Sequence, residues 1–107
     1  MVHAGYLEQF PTAGLTGKYT CVEDFYLRAR EDAYLTGGIE NGMIVAGHTP
    51  TLSKDNMMYN GGLVYQNYDP QKNCLYYDID CGCSYRTVRA NARLACLCAE
   101  TGAIYYL

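Results

Sequence analysis

The apolar residues of this chain follow a helical spacing in one segment. Five of them fall on one face of a helix, namely Val22, Phe25, Tyr26, Ala29 and Ala33. Thr20 and Glu23 form a capping-box pattern, in which the threonine oxygen accepts a backbone N–H and the glutamate reaches back to the cap. The sequence therefore predicts one main helix that begins near Thr20 and ends at Thr36-Gly37-Gly38.

Short apolar runs bounded by turn residues predict about six strands. They cover residues 2–4, 43–46, 63–66, 74–79, 93–99 and 103–107, whereas residues 5–18 and 84–91 are typical of loops. The turn at 68–73 predicts an antiparallel hairpin between its two flanking runs. Residues 93–99 are apolar at alternating positions on both sides, which predicts a strand covered on both faces. The pattern indicates an α+β fold within one domain, residues 1–107.

Composition narrows the class of protein. Half of the 107 residues are apolar and 18% are charged, which is typical of a globular chain. The net charge of −3 and the lack of a Lys/Arg cluster argue against a nucleic-acid partner. No apolar run is long enough to span a membrane, and the N-terminus lacks a signal-peptide pattern. We therefore expect no membrane partner, a cytoplasmic location and reduced cysteines.

The two histidines of the sequence occupy similar positions. His3 and His48 each follow a strand-like run, and each lies close to a glycine. A side chain at the end of a strand lies at the edge of a sheet, where a ligand or metal can reach it. Neutral imidazole is a common ligand of Mn, Fe and Zn. Two histidine ligands are far fewer than any of these metal ions normally binds, so we expect this chain by itself to bind metal weakly.

These segments resemble a known family. His3-Ala4-Gly5 and Gly47-His48-Thr49-Pro50 are similar to the last two metal-binding blocks of the calcineurin-like metallophosphoesterases, especially the bacterial serine/threonine phosphatase and diadenosine tetraphosphatase branch. Leu27-Arg28-Ala29-Arg30-Glu31-Asp32 resembles the helix that this branch places between those blocks. Asp78-Ile79-Asp80-Cys81-Gly82-Cys83 resembles the segment that follows the second block. The resemblance covers nearly the whole chain.

The resemblance implies a fold, a site and a reaction. The fold is a mixed β-sandwich of the four-layer α/β/β/α type, of which this chain would be a partial domain. His3 and His48 would bind one of two divalent metal ions (Mn, Fe or Zn), and Arg30 would contact the phosphate. The reaction is hydrolysis of a phosphorylated protein, or of a small phosphoester or nucleotide, by metal-bound hydroxide.

The earlier metal-binding blocks of that family do not occur in this sequence. We therefore expect the chain to represent the C-terminal half of such an enzyme and to be inactive alone. Asp80 is not a ligand in the family pattern, and we interpret it as a turn residue at the end of a strand. Arg30 has an alternative interpretation as one partner of a surface ion pair, because such pairs are common.

The cysteines suggest two further hypotheses. Cys81 and Cys83, together with Cys96 and Cys98, form two Cys-x-Cys pairs that could hold zinc if they lie on adjacent strands. They fit equally well as small core residues. Cys21, at the start of the predicted helix, is a weaker candidate for the nucleophile of a cysteine hydrolase.

A last alternative is not an enzyme. Without the front half of the metallophosphoesterase fold, apolar strands would lie uncovered on one side of the sandwich. The chain would then act as a non-catalytic binding or self-association module, forming a homo-oligomer through the exposed sheet surface.

Overall fold

The computed structural model describes residues 1–8, 17–35 and 37–107. Residues 9–16 of the predicted loop and Thr36, at the predicted helix end, lie outside this range. The helices are α1 (Val22–Arg28) and α2 (Asp32–Leu35), and a short 3-10 helix covers Cys83–Tyr85. The strands are β1 (Met43–Ala46), β2 (Tyr65–Asp69), β3 (Cys74–Asp78), β4 (Ala95–Leu97) and β5 (Ile104–Tyr106). The α+β class is confirmed, with five strands in the described residues instead of about six.

β3 is the central strand of a mixed three-stranded sheet with the order β1-β3-β2. β2 and β3 form the predicted antiparallel hairpin, with Gln66 opposite Tyr77. β1 runs parallel to β3, with Val45 opposite Tyr77. Most residues of β3 are buried, as expected for a strand paired on both edges. β4 and β5 form a separate antiparallel pair.

The stub at residues 2–4 lies beside the end of β1 without forming the predicted strand. The Val2 N–H donates to the Val45 carbonyl at 3.0 Å, and the Gly47 N–H donates to the His3 carbonyl at 2.8 Å. These two bonds align the beginning of the chain with the residues that follow β1.

α1 is the main helix, but it ends before the apolar stripe does. Ala29 is its C-cap and has an extended backbone, with ψ 144°. In a longer helix the Tyr26 carbonyl would accept the Arg30 N–H. It accepts the Ala4 N–H instead, at 2.8 Å. A contact with a distant segment thus ends the helix, and the stripe continues into α2 after a break.

The predicted capping box is wrong. Cys21 is the N-cap residue of α1 and makes no side-chain cap. Asp24, rather than Glu23, reaches back to the start of the helix, and its Oδ2 accepts the Thr20 N–H at 3.0 Å. A carboxylate in the first turn also interacts favourably with the positive end of the helix dipole.

Alternating residues of β3 contact two apolar clusters. The first contains Tyr76 and buries the helices against the sheet; its members include Phe25, Ala29, Ala33, Ile44 and Ala46. The second contains Tyr77, and residues of β4 and β5 pack against it. Cys96 in the middle of β4 is exposed, so the prediction that residues 93–99 are covered on both faces is wrong. The two-stranded sheet has one face packed on the second cluster.

We expect Gly62→Ala to destabilise the protein far more than Gly61→Ala. Both glycines have a positive φ, 64° at Gly61 and 82° at Gly62, so either alanine would cost about 1–2 kcal/mol in backbone strain. A Cβ at position 62 would lie 2.2 Å from the Asn91 carbonyl oxygen, whereas a Cβ at position 61 would lie 3.9 Å from the Tyr59 Oη. Urea denaturation should show a loss of about 3 kcal/mol or more for Gly62→Ala. Equal losses in the two variants would contradict this contact.

Candidate metal and phosphate site

The structure brings the two histidines of the chain into contact. His3 Nε2 and His48 Nδ1 lie 3.0 Å apart, and the ring centroids are separated by 4.7 Å. The bond from the Gly47 N–H to the His3 carbonyl accounts for this proximity, because it joins the residue before one histidine to the backbone of the other. The two residues that the resemblance implies as ligands therefore lie side by side at the end of β1.

His48 has a left-handed backbone with φ 75°. This conformation is uncommon for a residue with a Cβ and costs of the order of 1–3 kcal/mol. The neighbouring residue Thr49 is buried. Backbone strain of this kind is concentrated at functional sites, where surrounding contacts hold a side chain in place.

The surroundings of His48 favour its neutral form. Partial burial lowers its pKa, and the nearby positive charges of Arg30 and His3 lower it further. The carboxylate of Asp80 acts in the opposite direction. Metal binding requires a neutral imidazole, so the low pKa makes His48 available as a ligand near neutral pH.

Arg30 lies in the break between the two helices, and its side chain is exposed. It lines a cavity of about 410 Å³ together with Lys18, Arg28 and His48. Lys18 forms an ion pair with Asp32, and Arg28 forms one with Asp24.

Arg30 has no ion pair or side-chain hydrogen bond within residues 1–8, 17–35 and 37–107. The alternative interpretation of Arg30 as part of a surface ion pair is therefore not supported, because no carboxylate in that part of the chain pairs with it. Its guanidinium is available to an anion beside His48.

The histidine pair is joined by a hydrogen bond, in which the N–H of one imidazole donates to the nitrogen of the other ring. A metal ion would bind both nitrogens only in place of this bond, because a ligand nitrogen needs a free lone pair. The nitrogens of His3 and His48 are separated by 3.0 Å. In the described part of the chain, no group of three or more His, Cys, Asp or Glu side chains could hold an ion. His3 and His48 would supply at most two ligands of such a site, and any others would have to come from elsewhere.

Asp80 was interpreted from the sequence as a turn residue, and the structure also places its charge near His48. Its Oδ1 accepts the Gly82 N–H at 3.0 Å, which is the turn role that was expected. Its charge also acts on His48, and its Cβ lies 3.7 Å from the position of a Cβ at Gly47. Because β1 and β3 are parallel neighbours, the residues that follow them meet at one edge of the sheet. Recognising the parallel pairing from the two apolar runs would have placed Asp80 there.

The cysteines do not support the two thiol hypotheses. Cys83 and Cys96 are exposed, Cys98 is half-buried and Cys81 is buried. Burial raises the pKa of the Cys81 thiol to about 11. Within the described residues, which include these four cysteines, no three or more His, Cys, Asp or Glu side chains come together to hold an ion. Cys21 is exposed at the start of α1 and is not among the described residues that line the cavity of His48.

Comparisons with known proteins add no relative: no family model, curated protein or solved structure matches the chain. No helix within the described residues is both long and apolar enough to cross a membrane.

Proposed function

We propose that this chain is the histidine-bearing part of a metal-dependent phosphoester hydrolase, with the four-layer fold of the metallophosphoesterases. One observation carries the proposal: the nitrogens of His3 and His48 lie 3.0 Å apart at a cavity that Arg30 also lines, and the Arg30 guanidinium has no partner among the described residues. A pair of imidazoles is suited to a divalent metal, and a planar guanidinium is suited to a phosphoryl group. In a metal-dependent phosphoesterase the two functions act on the same phosphoryl group.

Each residue has a separate role in this proposal. His3 and His48, in their neutral forms, would hold one of two divalent ions; imidazole ligands suit Mn, Fe or Zn. A bound ion would supply Lewis-acid activation of water and of the phosphoryl group. Arg30 would bind the phosphoryl oxygens and orient them. Lys18 and Arg28 contribute less to anion binding, because carboxylates already neutralise them.

The proposed substrates are a phosphorylated protein or a small phosphoester or nucleotide. Further ligands, from the metal-binding blocks that this sequence lacks, would complete the two-metal site. We also propose a cytoplasmic location. All six cysteines are free, which suits a reducing compartment.

A manganese titration followed by NMR tests the metal site. Because the chain has only two histidines, its imidazole signals are simple to assign. Paramagnetic Mn²⁺ is expected to broaden the signals of His3 and His48 together, since both nitrogens face one ion. His48→Ala should remove the broadening at His3 as well. Glu100→Gln, which changes an exposed carboxylate in the turn between β4 and β5, is the control and should leave the broadening intact.

The same titration separates the proposal from the non-catalytic alternative. That alternative finds support in exposed apolar side chains near β4 and β5, including Tyr105 and Leu107, which are 63% and 77% exposed. Histidine signals that stay sharp with excess Mn²⁺ would overturn the metal site. If light scattering also showed a defined dimer, a self-association module would be the better interpretation.

A further inference from the structure

We propose that a second cleft, next to Arg30, binds the aromatic ring of a small phosphoester, such as the base of a nucleoside monophosphate. Tyr59 and Tyr85 would contact the ring while the phosphoryl group lies at Arg30. The inference rests on the proposed function for the placement of the phosphoryl group. Of the substrates proposed above, the inference favours small aromatic phosphoesters.

The cleft has the size and position that such a ligand needs. Its volume is about 620 Å³, within the usual range for small-molecule sites. Arg30 lines both this cleft and the cavity that contains His48. Thr49 and Pro50, which directly follow His48, also line the cleft. A ligand in the cleft could therefore extend its phosphoryl group toward the histidine pair.

One wall of the cleft is a helical turn that carries Tyr85 and Arg89. Tyr85 ends the short 3-10 helix, and the Arg89 N–H donates to the Tyr85 carbonyl at 2.9 Å. Residues four apart in such a turn lie on the same side, so both side chains line the cleft. The Tyr85 side chain remains accessible to a ligand, since the residue is 48% exposed.

A hydrogen-bonded loop that carries Tyr59 also lines the cleft. The Tyr59 N–H donates to the Asn56 carbonyl at 3.0 Å, and the Asn56 Oδ1 accepts the Met58 N–H at 2.8 Å. Tyr59 is 41% exposed. The Asn91 side-chain amide donates to the Gly61 carbonyl at 3.0 Å and thereby joins this loop to the wall of Tyr85. Both tyrosines are thus held on a fixed frame.

The chemistry of the lining favours an aromatic phosphoester over a phosphoserine peptide. Aromatic side chains stack on nucleobases, and this contact typically changes affinity by about ten-fold or more per ring. A phosphoserine side chain offers no ring to either tyrosine. Lys54 and Arg89 add positive charge along the cleft, although Glu31 and Asp55 offset part of it. The cleft therefore suits a ligand that carries a flat ring and a phosphoryl group.

Calorimetry with two matched ligands tests the inference on this chain without metal. Adenosine 5′-monophosphate and ribose 5-phosphate share the sugar phosphate and differ in the base. We expect the first to bind about ten-fold more tightly, because only its base can stack. Tyr59→Leu and Tyr85→Leu should reduce its affinity toward that of ribose 5-phosphate and leave ribose 5-phosphate unchanged. Tyr105→Leu, at an exposed tyrosine on β5, should change neither affinity.

Equal affinities for the two ligands, or no binding of either, would overturn the inference. Phenyl phosphate identifies the part of the ligand that is recognised. If it binds as tightly as the nucleotide, the cleft recognises the flat ring alone. If it binds more weakly than the nucleotide, the cleft also contacts the edges of the base. Both results support an aromatic subsite. Calorimetry needs neither metal nor turnover. A failed manganese titration would therefore contradict the proposed hydrolase without affecting base-dependent binding.

Discussion

In the hydrolase proposed above, with its other metal ligands supplied, His48→Ala is expected to abolish metal-dependent hydrolysis of p-nitrophenyl phosphate. Loss of a residue that only orients a metal ligand typically costs 10–100-fold, so loss of a ligand should lower kcat/KM by at least about 100-fold. The remaining imidazole, His3, lies 3.0 Å from the lost one and would hold the ion alone on this side of the site. Steady-state kinetics at saturating Mn²⁺ measures the effect. A near-normal rate would show that His48 is not a metal ligand.

Arg30 and Arg28 provide a matched pair for the same assay. Both line the cavity of His48, but Arg28 is paired with Asp24, and Arg30 has no partner in the described residues. Arg30→Ala is therefore expected to raise KM or lower kcat by about ten-fold or more, because a charge-assisted phosphate contact is lost. Arg28→Ala should have a much smaller effect. Equal losses would show that only the total positive charge matters.

Asp78→Asn is expected to become more stable than the unmodified protein as the pH rises. The Asp78 side chain is fully buried, at 0% exposure, and burial raises its pKa to about 7. In the unfolded chain the pKa is about 4. Between these values the folded state keeps a proton that the unfolded state loses, so stability falls as the pH rises and levels off above about 7. Asparagine resembles the protonated acid and has no such dependence.

The size of this effect follows from the linkage between protonation and folding. Between about pH 5 and pH 7 the loss is of the order of 3 kcal/mol, at 1.36 kcal/mol for each pH unit. The substitution keeps an oxygen for the Asp80 N–H, which donates to Asp78 Oδ1 at 2.9 Å. Urea denaturation at several pH values, with the exposed Asp55→Asn as control, measures the difference. Parallel stability curves for Asp78→Asn and the unmodified protein would exclude a buried acid with a raised pKa.

Local signals in the sequence account for the parts of the fold that were predicted well. The β2–β3 hairpin follows from turn residues between two apolar runs, since both its strands and its turn lie close together in sequence. The end of α1 depends on the Ala4 N–H, and the parallel pairing of β1 with β3 joins runs separated by a long connection. Contacts between segments that lie far apart in the chain leave no periodic pattern in the sequence.

The residues of the candidate site also differ in whether local sequence signals could predict them. His3 and His48 were predicted because each ends an apolar run beside a glycine. The charge of Asp80 near His48 and the cleft between Tyr59 and Tyr85 were not predicted, since each brings together loops from different parts of the chain. Residue type indicated the chemistry, and tertiary contacts determined which residues share a site.

The bonds made by the first residues also have a consequence for how the protein folds. Residues 2–4 are anchored to Tyr26 and to the end of β1 by the Val2, Ala4 and Gly47 amides. Each anchor closes a long loop, whose entropic cost is recovered only after the partner segments are ordered. The histidine pair is therefore completed late during folding. During synthesis, His3 leaves the ribosome long before the strand that positions its partner, and the site forms only when the second histidine has followed.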